Sequence, residues 1–214
     1  MRKSRPEFAG WRRGLALLGL ILQLLWLGGC ATAPPEAGAG AAEAKKKGAL
    51  PPEAQAAYER ARWSVQAGRD QEAVDLFRQM TQKWPDLEIG HVNLGLLLLR
   101  AGKTDEALAA LERAVQLKPD DAVAWNHLGI ALRHKGQFHK ALDAYRQALK
   151  IRPDYANAYR NLGILYDIYL QELPQALDAY KRYQQLTGGD DETVKKWIVD
   201  LERRVAAAQK GKTG

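Results

Sequence analysis

The chain has little of several things. Of its 214 residues one is a cysteine, Cys30, so no disulfide can form within it. It has four histidines, His91, His127, His134 and His139. His134 and His139 straddle Gly136, but no cysteine or carboxylate cluster completes a ligand set, so no metal site is expected. No phosphate-binding loop, nucleophile elbow or paired-acid motif is present. No catalytic residue is therefore assigned, and no enzyme is expected. Long apolar runs are also scarce. The one at residues 14–27, GLALLGLILQLLWL, covers roughly 21 Å at ~1.5 Å per residue, short of the ~30 Å bilayer core.

Excess charge is thin as well. The formal net charge is +7, but residues 1–29 supply +4 of it through Arg2, Lys3, Arg5, Arg12 and Arg13 against Glu7. From Gly48 onward 24 Lys and Arg face 22 Asp and Glu. So balanced a body carries no electrostatic footprint for nucleic acid. At 46% hydrophobic residues the whole chain has enough apolar material to fold.

What is present begins with an address. A basic stretch, residues 1–13, precedes the apolar run, as in a secretory signal peptide. Then comes Leu27-Gly28-Gly29-Cys30. This resembles the lipobox of bacterial lipoproteins, an aliphatic residue and two small ones before cysteine. The resemblance implies cleavage before Cys30 and acylation of its thiol and new amine, leaving a covalent lipid and no other cofactor. Several acyl chains on one residue suffice for stable anchoring. Ala31, where an aspartate tends to retain lipoproteins at the inner membrane, implies the outer membrane, with the body facing the periplasm. Residues 30–52 then read as the lipidated cysteine and a flexible Ala/Gly/Pro linker.

The body repeats. Leu94-Gly95, Leu128-Gly129 and Leu162-Gly163 recur at a step of 34. Ala73, Ala107 and Ala141 keep that step, as do Gly68, Gly102 and Gly136, and the pairs Pro85-Asp86, Pro119-Asp120 and Pro153-Asp154. Residues 122–155 carry the fullest set: Trp125, Leu128, Gly129, Leu132, Ala141, Tyr145 and Pro153. This pattern resembles the tetratricopeptide repeat. Four units are expected, 54–87, 88–121, 122–155 and 156–190, together the domain 53–190. A capping helix at 191–208 and a frayed tail at 209–214 should follow. The fold class expected is all-α, a right-handed superhelix of two-helix units. Gly129 should admit helix B closely, and Gly136 should serve the turn. The fourth unit lacks the turn glycine and has one extra residue before Ala176, predicting a longer first helix and a looser turn.

In this family the first helix of each unit lines a concave groove that takes peptide segments. The resemblance implies an inner face of Tyr58 and Arg62; then Val92, Asn93 and Leu96; then Asn126, His127 and Ile130; then Arg160, Asn161 and Ile164. Arg100, Arg133 and Asp167 fall at its rim. The expected function is a membrane-tethered interaction module of the bacterial cell envelope, holding a protein or peptide segment of an envelope complex. The layout is loosely similar to type IV pilus pilotins. The alternative is a cell-wall role, recruiting peptidoglycan enzymes or binding glycan through rings such as Tyr166 and Tyr169. Neither the partner nor the oligomeric state is legible.

Overall fold

The computed structural model describes residues 50–213. The expectations for the leader, Leu27 to Cys30, and the linker up to Ala49 lie outside the described residues. Four helix pairs follow one another: α1 (Pro52–Gln66) with α2 (Asp70–Lys83), α3 (Glu88–Arg100) with α4 (Thr104–Leu117), α5 (Ala122–His134) with α6 (Phe138–Ile151), and α7 (Ala156–Ile164) with α8 (Leu173–Leu186). A last helix, α9 (Glu192–Thr213), packs on α8. It runs past the expected end at 208, so residues 209–213 are helical rather than frayed.

The glycines explain the period. A Cβ on Gly129 would lie 2.5 Å from Cε1 of Tyr145, and one on Gly163 equally close to Cε1 of Tyr180. In the second unit Leu111 Cγ would lie 2.6 Å from a Cβ on Gly95. The bare backbone is where the second helix drives its largest side chain home: Tyr145, Tyr180 and Leu111 are among the most buried residues. The turn glycines do another job. Gly102 takes φ +71° while its N–H reaches Leu99 O at 3.1 Å, and Lys103 N–H reaches Leu98 O at 2.8 Å. This paired closure of a helix end needs a left-handed residue, where glycine is cheapest.

The marker position before Leu-Gly has its own logic. Trp125 donates its ring N–H to Pro119 O at 2.8 Å. His91, at the equivalent place, bonds Pro85 O through Nε2 at 2.9 Å. Histidine therefore replaces tryptophan here as a donor to the proline carbonyl six residues earlier.

The fourth unit absorbs its extra residue in an unusual way. After Ile164 the helix widens into a π-helical segment, Leu165–Leu170. Gln171 takes the left-handed conformation, φ +55°, where the other units have glycine. Its side-chain amide donates to Asp167 O and Ile168 O at 2.7 and 3.2 Å, covering carbonyls that the wider turn leaves exposed. The closing bond spans six residues, Glu172 N–H to Tyr166 O at 2.9 Å, one more than in the other units.

Candidate functional site

The first helices of successive units touch directly, α3 on α5 and α5 on α7, so they form one continuous face. Along that face the sequence-derived residues fall into three groups.

At the N-terminal end Tyr58 is half-buried with its ring edge-on to Phe77 at 6.0 Å. Arg62 lies 5.7 Å from the centre of the Tyr58 ring and pairs with Glu59 at 3.5 Å. In the middle, Leu96, Ile130 and Ile164 are half-buried and supply apolar surface. Val92 is more deeply placed than expected: it belongs to the core and serves as floor.

The amides are engaged with the protein itself. Asn93 donates to Ile89 O in its own helix at 2.8 Å. Asn126, 2% exposed, accepts a bond from Asn161 at 2.9 Å, a rung joining the third and fourth units. His127 keeps a buried Nδ1 with no hydrogen-bond partner, and burial lowers its pKa. Neutral side chains in such places suit hydrogen bonding within the stack.

The third group was only partly legible in the sequence. Arg160 lies 5.6 Å from the centre of the Trp197 ring, and Arg133 5.8 Å from that of Tyr169. Neither arginine makes an ion pair among the described residues, and the Nε of each is buried without a hydrogen-bond partner. Both charges act on the Tyr180 hydroxyl, whose pKa burial and then the Asp167 charge push far up and the two guanidiniums pull back. The Tyr145 hydroxyl, fully buried and also influenced by Arg133, has no hydrogen-bond partner. Two rim residues are spoken for: Arg100 pairs with Asp70 at 3.0 Å, and Asp167 with Arg204 of α9 at 2.8 Å. So α9 closes one end of the face with a charge of its own, a contact with no signal in the repeat pattern.

The π-helical segment moves the aromatics. Tyr169 is 40% exposed and stacks on Phe138 at 4.7 Å; Ile168 is 59% exposed. Tyr166, expected beside Tyr169 as a sugar-stacking ring, is buried instead, its hydroxyl accepting from Arg146 at 3.1 Å. Tyr183 donates its hydroxyl to Asp191 at 3.0 Å. Among the described residues no group of three or more His, Cys, Asp or Glu side chains is placed to hold a metal ion. Likewise no described helix is long and apolar enough to cross a membrane.

The profile of the tetratricopeptide repeat family matches residues 92–156 and 135–191. Together the two matches span residues 92–191, slightly under half of the 214-residue chain. The superhelical fold of such repeats is shared with solved structures at low identity. Residues 41 to the end of MamA from Desulfovibrio magneticus RS-1 superpose with a TM-score of 0.65 at 18% identity, covering 77% of this chain and 92% of that one. YrrB, described as a TPR protein with an unusual peptide-binding site, gives 0.59 at 23% identity over 70% of this chain and 74% of its own. A crystal structure of MamA gives 0.55 at 23% identity, covering 69% and 96%. No curated protein matches the sequence. The face of α3, α5 and α7 is the candidate groove of this stack.

Proposed function

We propose that this chain is a lipid-anchored adaptor of the bacterial cell envelope, tethered through Cys30 to the outer membrane and facing the periplasm. Its tetratricopeptide groove holds a segment of a partner protein and positions it within an envelope complex. The observation that carries the groove half of the reading is the inner face itself: half-buried Leu96, Ile130 and Ile164 run into two arginines that make no ion pair among the described residues. Apolar anchors beside unneutralised polar groups are what peptide recognition needs. The anchoring half rests on Leu27-Gly28-Gly29-Cys30 after a basic and apolar leader. The cell-wall alternative is weakened by the burial of Tyr166, which leaves Tyr169 without the second ring of a sugar platform.

Two experiments test the halves separately. Cys30→Ser should leave an uncleaved precursor absent from the outer-membrane fraction; normal processing and fractionation of that variant would end the anchoring half. Ile130→Lys should abolish co-purification of envelope partners that survives Val199→Lys on the outer face of α9. Equal recovery with both variants would end the groove half.

A further inference from the structure

The two ends of the stack are finished differently. At the C-terminal end α9 packs Val194, Trp197 and Leu201 against the core and shows Lys195, Lys196, Asp200 and Arg203 around Val199 on its outer side. Among the described residues the outer side of α1 has no such cover. We infer that this chain forms a two-fold dimer through that N-terminal end face, each copy seating its Trp63 in a trough beside Ala56 of the other.

The repeat shows what the face lacks. In steps of 34, Ala56 corresponds to Gly90, Ala124 and Ala158, Arg60 to Leu94, Leu128 and Leu162, and Trp63 to Leu97, Ala131 and Leu165. All of these later residues are buried. The second helix of the unit before covers them: a Cβ on Gly90 would meet Met80 and Thr81 of α2. In α1 the same stripe is open. Ala56 and Arg60 are exposed, and Trp63 is 56% exposed. A terminal repeat ordinarily turns a polar face outward, as α9 does. A tryptophan at a core position of the repeat is instead the residue type of an interface anchor.

The face is complementary to itself. Beside Ala56 and Ala57, α1 and α2 form a trough of about 610 Å³, lined also by Arg60, Leu76, Met80 and Trp84. Trp63 and Ala56 lie on one stripe, about 10 Å apart along the helix. A two-fold axis between them, near Arg60, carries each Trp63 to the other copy's trough. That is an isologous contact, in which one patch serves both copies. A head-to-tail contact would set Trp63 against the lysines of α9 and leave the trough unfilled.

Charge agrees with this arrangement. The two-fold axis sets the two α1 helices antiparallel, with their dipoles opposed. Glu53 opens α1 and lines the trough. Arg69 follows the end of α1, its guanidinium 3.9 Å from the centre of the Trp63 ring. A seated Trp63 therefore brings Arg69 to the other copy's Glu53. Glu53 bonds Lys83 at 2.8 Å, yet with 76% of its side chain exposed it has room for a second cation. Arg60 meets the incoming ring from the trough wall, a contact that suits a guanidinium.

The test is sedimentation of the full chain in detergent, at the solvent density that hides the micelle. Wild type and Val199→Glu, which alters the opposite end face, should sediment as dimers. Trp63→Glu removes the knob and Ala56→Trp fills the trough. Each should weaken dimerisation at least tenfold with an unchanged helical circular dichroism spectrum, since both positions are exposed. Mixed one to one, the two variants keep one intact contact between them and should associate more tightly than either alone. A monomeric wild type, a mass above the dimer, a dimer retained by both variants, or no gain on mixing would each overturn the inference.

Discussion

Gly129→Ala is the sharpest probe of why the repeat has its period. On an isolated helix the change should help, because alanine is favoured over glycine by about 1 kcal/mol. In this fold the new methyl would sit 2.5 Å from Cε1 and 2.7 Å from Cδ1 of Tyr145. Carbon atoms prefer roughly 3.5–4.0 Å, so the ring must retreat by about 1 Å. Tyr145 is 0% exposed, and α6 has to move with it. Overpacking of this kind costs about 1–3 kcal/mol, and a backbone-coupled shift belongs at the upper end. The net expectation is a loss of about 2 kcal/mol. In urea, with a slope of about 2 kcal/mol per molar, the midpoint of the circular-dichroism transition should fall by about 1 M. The cycle partner is Tyr145→Ala, which removes the ring. On that background Gly129→Ala should become neutral or stabilising. An equal loss with and without the ring, or no loss in wild type, would refute the close-approach argument. Gly90→Ala is the internal contrast: its methyl would meet Thr81 Cγ2 at 3.3 Å and Met80 Cγ and Sδ at 3.5 and 3.7 Å, contacts that need only a slight adjustment, so it should be neutral or gain up to about 1 kcal/mol.

Other expectations follow from single contacts. Gln171→Ala keeps the left-handed strain and loses the bonds to Asp167 O and Ile168 O, so it should cost about 1–2 kcal/mol in the same urea assay, whereas Gln171→Gly should be close to neutral. His91→Trp should preserve stability and His91→Phe should lose about 0.5–1 kcal/mol, because only the former keeps a donor for Pro85 O. Burial, and then the neighbouring Asp121, raise Glu88 from 4.5 to about 7. Burial alone would raise Asp121 too, but the bonds from Glu88, Val123 N–H and Ala124 N–H outweigh it and hold that carboxyl low. Glu88 thus keeps a proton in the folded state that the unfolded chain has released, so its contribution to stability declines as pH rises from about 4.5 to 7. Thermal melts should show Glu88→Gln flattening that decline and raising Tm at pH 7.5; an unaltered profile would remove Glu88 as its source.

Much of the fold could be read in one dimension because a repeat writes its packing as a period. Leu-Gly at 34-residue intervals marks the same close approach three times, and the turn glycines mark the same helix end. The groove was less legible. Helix position indicates which face a residue is on, yet not whether a neighbour already occupies its polar group. Asn126 and Asn161 read equally well as ligand contacts, and only the meeting of α5 with α7 turns them into a rung. The missing glycine and extra residue of the fourth unit announced an irregular turn. They did not announce a π-helical segment, since one added residue can be placed in a helix or in a loop at similar cost.

By itself, then, the sequence determined the number of units, their register, the glycine contacts and the glycine-closed turns of the first three units, all of which depend on neighbours a fixed distance along the chain. Tertiary structure alone decided that Tyr166 is buried while Tyr169 is exposed, that Arg204 reaches back 37 residues to Asp167, and that Arg133 and Arg160 lie on rings rather than in ion pairs. Those outcomes depend on which side chains from different units arrive at one place. A period repeated along the chain holds no record of that.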